Sequence, residues 1–205
     1  MAFSRIKDIV DAEINGQVRN YGWRKTPSQS AVAGQWFDLS MSPGNPPPKY
    51  WFDAPPGVAK AVYQSTDGGL YHGANAAPSN KYLRSFSVIM GGFTNMPCPL
   101  IICDYLLYYP SLDDSTVDPQ ILDNTITLPR YTDGIGVFPI IVAQTAHGAA
   151  APALTLNYKD PDNNDQNGLV MTAPGNSIHI STCYLNNGSP FLPLATTDKG
   201  VKQIN

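Results

Sequence analysis

Charge is what this chain has least of. Only 14% of its 205 residues are charged, where an ordinary soluble domain carries roughly 25%. The 13 Lys and Arg are scattered, with Arg24-Lys25 the densest pair, and the net charge is −3. Phosphate recognition needs clustered basic residues, so nucleic acid is not an expected partner. Cysteine is also sparse. Cys98, Cys103 and Cys183 are an odd number at no repeating spacing, which argues against a disulfide scaffold and for three free thiols. The single C-x4-C pair is not a zinc site, and free cysteines usually serve as small buried hydrophobes. No run approaches the 18 or so apolar residues of a membrane-spanning helix. The start, MAFSRIKDIVDAEI, lacks the charged lead and continuous apolar stretch of a secretion signal. A membrane is therefore not an expected partner either.

Motifs that carry chemistry are also missing. His72, His147 and His179 stand apart, with no H-x-H, no H-E-x-x-H and no carboxylate at a recognisable offset. There is no G-x-S-x-G, no P-loop and no G-x-G-x-x-G. DPDNNDQNG (160–168) begins like a calcium loop, with Asp160, Asp162 and Asn164 alternating. Its sixth position is Asp165 rather than Gly, and no closing Glu follows. Asn, Asp and Gly are equally what a long hairpin turn demands, and the turn is the preferred reading. No catalytic residue, metal ligand or cofactor is predicted, and an enzyme ranks behind the other functions considered below.

Turn formers and apolar residues are plentiful. There are 17 Gly and 19 Pro, and 42% of the chain is hydrophobic. Such a chain suits an all-β domain of many short strands. It also suits a subunit that hides its surface against neighbours, because interface cores are depleted of charge.

One helix is predicted, over residues 3–15, with Ser4 as cap, Gly16 as stop, and Ile6, Ile9, Val10 and Ile14 on one face. A lone helix ahead of a β-rich chain must dock, either on its own domain or on another chain. Predicted strands are Gly34–Met41, 81–90 (a short helix being the alternative), 136–145 and 177–185. The segments 154–160 and 168–174 read as the arms of a hairpin. NPPPKYWFDAPPG is an extended Pro-rich loop carrying Tyr50, Trp51 and Phe52. The most apolar run, MPCPLIICDYLLYYP, is too short for a bilayer and apolar on both sides apart from Asp104. It reads as a central strand over 100–107 covered on both faces, in which a buried Asp104 would need a partner.

The expected fold is thus mainly β: an antiparallel β-sandwich of jelly-roll type with a short N-terminal amphipathic helix. Residues 1–25 form a helix and arm. Residues 26–205 form the β-domain, with the extended Pro-rich loop at 42–57. Candidate interface residues are Ile6, Ile9, Val10 and Ile14 on the helix and Tyr50, Trp51 and Phe52 on the loop. GVKQIN ends without a terminating turn or polar tail, so a continuation beyond Asn205 is expected.

The phrases GQWFDLSMSPGNPPPKYW, HGANAAPSNKYL, CDYLLYYPSLDD and LDNTITLPRYTDGIGV resemble a family of tailed-bacteriophage virion proteins. The shared pattern is a W/F-D-x-S-x-x-x-G-x-P run, then D-Y-L-L-Y-Y-P, then D-N-T-x-T-L-P-R-Y-T, and it spans roughly residues 20–145, with weaker similarity to the end. The resemblance implies a component of the virion: a capsid decoration or cement protein, or a neck or tail component. Its partners would be the major capsid protein or other virion proteins, together with copies of itself as a homo-oligomer. It transfers no catalytic residue. A host-glycan-binding module using Tyr50, Trp51, Tyr108 and Tyr109 is the competing class.

Overall fold

The computed structural model describes residues 4–27, 34–63, 65–73, 81–91, 99–146, 152–172 and 180–205. His147, His179 and Cys98 lie outside them.

Helix α1 spans Ile6–Ile14, and local chemistry sets both of its ends. The Asp8 carboxylate accepts from the backbone N–H groups of Ser4 and Arg5, each at 3.1 Å, satisfying donors that a helix start leaves open. Gly16, at φ 67°, turns the chain left-handed. Gln17 N–H then reaches Ala12 O at 2.8 Å and Gly16 N–H reaches Glu13 O at 3.1 Å, the two bonds of a Schellman stop.

The remaining elements are mainly short antiparallel strands. β1 (Arg24–Lys25) pairs with β2 (Gly44–Asn45), β3 (Lys60–Ala61) with β4 (Leu107–Tyr108), and β5 (Ala153–Leu154) with β8 (Met171–Thr172). β6 (Asn157–Lys159) lies between β7 (Asp165–Asn167) and β9 (Gln203–Ile204). The predicted hairpin is present with its bounds shifted: the inner rung β6–β7 uses Asp165–Asn167, expected in the turn, and of the expected arm 168–174 Met171–Thr172 pair in the outer rung β5–β8, residues 173–174 lying outside the described residues. Among the described residues these small sheets do not lay out the two layers of a sandwich.

The central position belongs to residues 181–184, not to 100–107. Single bridges join Phe37 to Thr182 on one side and Val142 to Cys183 on the other. Five backbone bonds of 2.8–2.9 Å, including Asp38 N–H to Ser181 O and Tyr184 N–H to Ile141 O, tie this segment to both neighbours. Ser181, Thr182, Cys183 and Tyr184 are all buried. Ala143, Met171, Tyr184 and Leu192 form the core beside it, with Ile141, Leu154 and Leu156 packed against them.

The expected central strand over 100–107 is therefore corrected. Only Leu107–Tyr108 pairs, with Lys60–Ala61, and Leu100, Ile101 and Ile102 are exposed. A run that is apolar on both sides needs two covers, and the described part of this chain supplies cover only near its end, where Leu106 and Pro110 are buried. Asp104 is not buried either. It holds Arg130 through two bonds of 3.0 and 2.6 Å near the surface.

The strand expected at Gly34–Met41 is also cut short. The Asp38 carboxylate accepts from Ser40 N–H at 2.8 Å, and a 3-10 turn, Leu39–Met41, follows. This is the local competition that Asp offers to an extended backbone. Segment 136–145 contributes its ladder to 181–184 and further backbone bonds to Lys199, Val201 and Leu192. Segment 81–90 is neither strand nor helix. Gly68 is required where it stands: a Cβ there would lie 2.1 Å from Ser40 O, and its φ is +76°. Its carbonyl accepts from Trp23 Nε1 at 3.1 Å, so packing of the β-part already begins at Trp23.

Candidate interaction surface

The polar groups inside the fold are tied as tyrosine–carboxylate pairs more than as ion pairs. Tyr108 Oη donates to Asp53 at 2.7 Å, Tyr184 to Asp114 at 3.0 Å, and Tyr158 to Asp198. Tyr105 donates to the buried Asp38. Tyr109 does the same with the side-chain carbonyl of Asn124, at 2.7 Å. Tyr105, Tyr108, Tyr109 and Tyr184, with Asp38, Asp114 and Asn124, border a cleft of about 790 Å³ between the 101–114 segment and residues 122–128 and 136–146.

The protonation states follow from this setting. Burial first, then the neighbouring carboxylates, pushes the Tyr105, Tyr108 and Tyr184 hydroxyls well above their ordinary range. Burial pushes Tyr109 up to about 12. The buried Cys183 thiol is also pushed up to about 12, mainly by desolvation and then by Asp38. Hydroxyls and thiols shifted this way stay protonated near neutral pH and make poor nucleophiles. In this arrangement they donate hydrogen bonds that hold segments together. Asp160 does comparable work at a turn, accepting from Asn164 N–H at 2.8 Å, Asn164 Nδ2 at 3.0 Å and Gln166 Nε2 at 3.1 Å. Among the described residues no group of three or more His, Cys, Asp or Glu is placed to hold a metal ion, and no helix is long and apolar enough to cross a membrane.

The loop aromatics divide. Tyr50 and Phe52 are exposed, but Trp51 between them is buried. Its ring lies 4.4 Å from that of Tyr108 at 57°, Lys49 Nζ sits 5.7 Å from the ring, and its backbone N–H donates to Gln144 Oε1 at 2.8 Å. Trp51 therefore anchors the loop, and only its two neighbours can meet a partner. Tyr108 and Tyr109, named as possible glycan platforms, are likewise committed inside the chain. Of those four aromatics only Tyr50 is presented to solvent.

The helix is the opposite case. Ile6 is 81% exposed and Ile14 76% exposed, and Ile9 and Val10 are also open. Ala12 is its buried residue. An ion pair of 2.7 Å from Arg84 to Glu13 links the helix to the segment at 81–91. Ile6 and Ile14 are largely uncovered, and Ile9 and Val10 only partly so.

Sequence reasoning missed how general this uncovering is. Exposed apolar side chains occur on the face of α1, at residues 82–90 and at residues 100–102, and singly elsewhere, as at Val117, Ile121 and Val170. The low charge content was the signal for it. Comparison of the chain with models of known protein families, with curated proteins and with solved structures returns no match.

Proposed function

We propose that this chain is a non-enzymatic structural component of a bacteriophage particle, acting as a capsid decoration or cement protein. The observation that carries the reading is the exposed apolar surface on described residues, on α1 and at 82–90 and 100–102. Burying it against neighbours releases water from apolar side chains, and each bound copy then stabilises the assembly by mass action. The phrases shared with tailed-phage virion proteins supply the setting, the virion, and the major capsid protein as principal partner. A neck or tail position would use the same surface chemistry at lower copy number. The sandwich layering belongs to the same reading: a neighbour's surface would provide the missing cover over residues 100–104. The glycan-binding alternative is weakened by the commitment of Trp51, Tyr108 and Tyr109 to internal contacts.

The attachment device in this reading is α1. Each of Ile6, Ile9, Val10 and Ile14 offers roughly 1.5–3 kcal/mol on full burial. The experiment is deletion of residues 1–20, followed by measurement of occupancy on intact particles by mass. A deleted chain that folds but fails to join particles supports attachment through the arm. Unchanged occupancy refutes that role, and failure to fold assigns the helix to the domain's own core.

A further inference from the structure

Residues 83–91 make no backbone–backbone hydrogen bond with any other described residue, although nothing in their sequence prevents pairing. They hold no proline, and Val88, Ile89 and Phe86 all favour strands. Exposure alternates along the segment as it does along an extended chain: Leu83 is 74% and Ile89 96% exposed, whereas Phe86 and Val88 are nearer half. A row of open N–H and C=O groups flanked by exposed apolar side chains is a template for strand addition.

The geometry points to a second copy of this chain as the strand that adds: residues 83–89 pair antiparallel with the same residues of the mate, about a twofold axis at Phe86. The segment LRSFSVI is nearly palindromic in polarity, and this register uses that. Leu83 of one copy meets Ile89 of the other, Ser85 meets Ser87, and Phe86 meets Phe86. Aliphatic, hydroxyl and aromatic groups each find their own kind, which are the favourable cross-strand pairings. The two most exposed side chains of the segment become each other's partners, twice, as an isologous contact requires. No like charges oppose. Arg84 faces Val88 across the pair, and its guanidinium is already held by Glu13 at 2.7 Å. Partner strands of other sequence lack this reciprocal match. The inference stands on the segment itself and does not depend on the particle reading.

The test uses the purified full chain. Sedimentation should show a dimer, twice 22.2 kDa, at micromolar concentration. In a Cys98→Ser, Cys103→Ser background, Phe86→Cys should cross-link to itself under oxidised glutathione, which is reduced as the two thiols join. Leu83→Cys alone should not cross-link, since its mate lies about 20 Å away along the strands, but a mixture of Leu83→Cys with Ile89→Cys should. With Phe86 opposite Phe86 as a non-hydrogen-bonded pair, the Ser87 N–H donates to the Ser85 carbonyl of the mate, so Ser87→Pro should weaken dimerisation about tenfold or more. It should leave the near-ultraviolet spectrum unchanged, because that N–H bonds to no described backbone group. A monomer at all concentrations overturns the inference, even if the chain still joins particles. So does self-cross-linking of Leu83→Cys as readily as Phe86→Cys, or a Ser87→Pro dimer of undiminished stability.

Discussion

Tyr158 and Asp198 hold the C-terminal segment onto the three-stranded sheet. The Tyr158 side chain is fully buried on β6. Its hydroxyl donates to the Asp198 carboxylate, 40 residues on, and accepts from Ala195 N–H at 2.9 Å. Tyr158→Phe leaves both partners without that oxygen, at a cost of about 1–3 kcal/mol. Tyr158→Ala also opens a cavity and costs about 3–5 kcal/mol. Denaturant unfolding of the two variants should reproduce this order, and a Phe variant as stable as the parent would contradict the tie.

The Trp51–Tyr108 contact should behave differently from the Tyr108–Asp53 bond. Tyr108→Phe keeps the ring contact and loses one hydrogen bond, about 0.5–1.5 kcal/mol. Trp51→Ala removes the loop's anchor and costs about 3–5 kcal/mol. Tryptophan emission provides the readout: the Phe variant should keep the parent's spectrum in native buffer.

The carboxylates predict the shape of the pH profile. Tyr108 holds Asp53 below the usual range, Asn164 does so for Asp160, and Lys159 for Asp165. Groups depressed in the folded state contribute stability above their unfolded value, near 4, and lose it as pH falls through the lower folded values. Melting temperature should therefore drop as pH is taken below about 4. Asp38 has the opposite sign, because burial raises it, so its contribution declines as pH rises above the unfolded value. Asp38→Asn removes that decline. The melting temperature of the variant minus that of the parent should be larger at pH 7 than at pH 4, and the reverse ordering would refute the assignment.

Thiol reactivity should follow position. Cys103 is exposed, and Cys183 is buried with its thiol pushed up to about 12. Iodoacetamide at mildly alkaline pH should label Cys103 in the native protein, and Cys183 only after unfolding. In denaturant without reductant all three cysteines should react. Peptide mass mapping checks both statements, and native labelling of Cys183 ahead of Cys103 would contradict the burial.

What the sequence determined by itself is what a few neighbouring residues settle among themselves. Asp8 and Gly16 bound the helix through bonds that span at most five residues, and Arg5 rather than the expected Ser4 is its N-cap. The run from Asp160 to Asn164 closes the hairpin because Asp160 accepts from a backbone four residues away. Scarcity of charge was legible as scarcity of internal ion pairs and as surface left for neighbours. Tertiary structure alone decided which apolar run became central. Residues 100–107 and 181–184 both read as strands, and apolar pattern reports only that a face wants cover, not which segment supplies it. The segment at 181–184 found backbone partners on two sides, at 36–38 and 141–143, whereas residues 100–104 remain exposed. The tyrosine–carboxylate ties were equally invisible beforehand. Tyr108 and Asp53 are 55 residues apart and Tyr184 and Asp114 are 70 apart, and no local rule pairs groups at such distances. Their pairing follows from the need of each buried polar group for whichever partner the packed chain brings within reach.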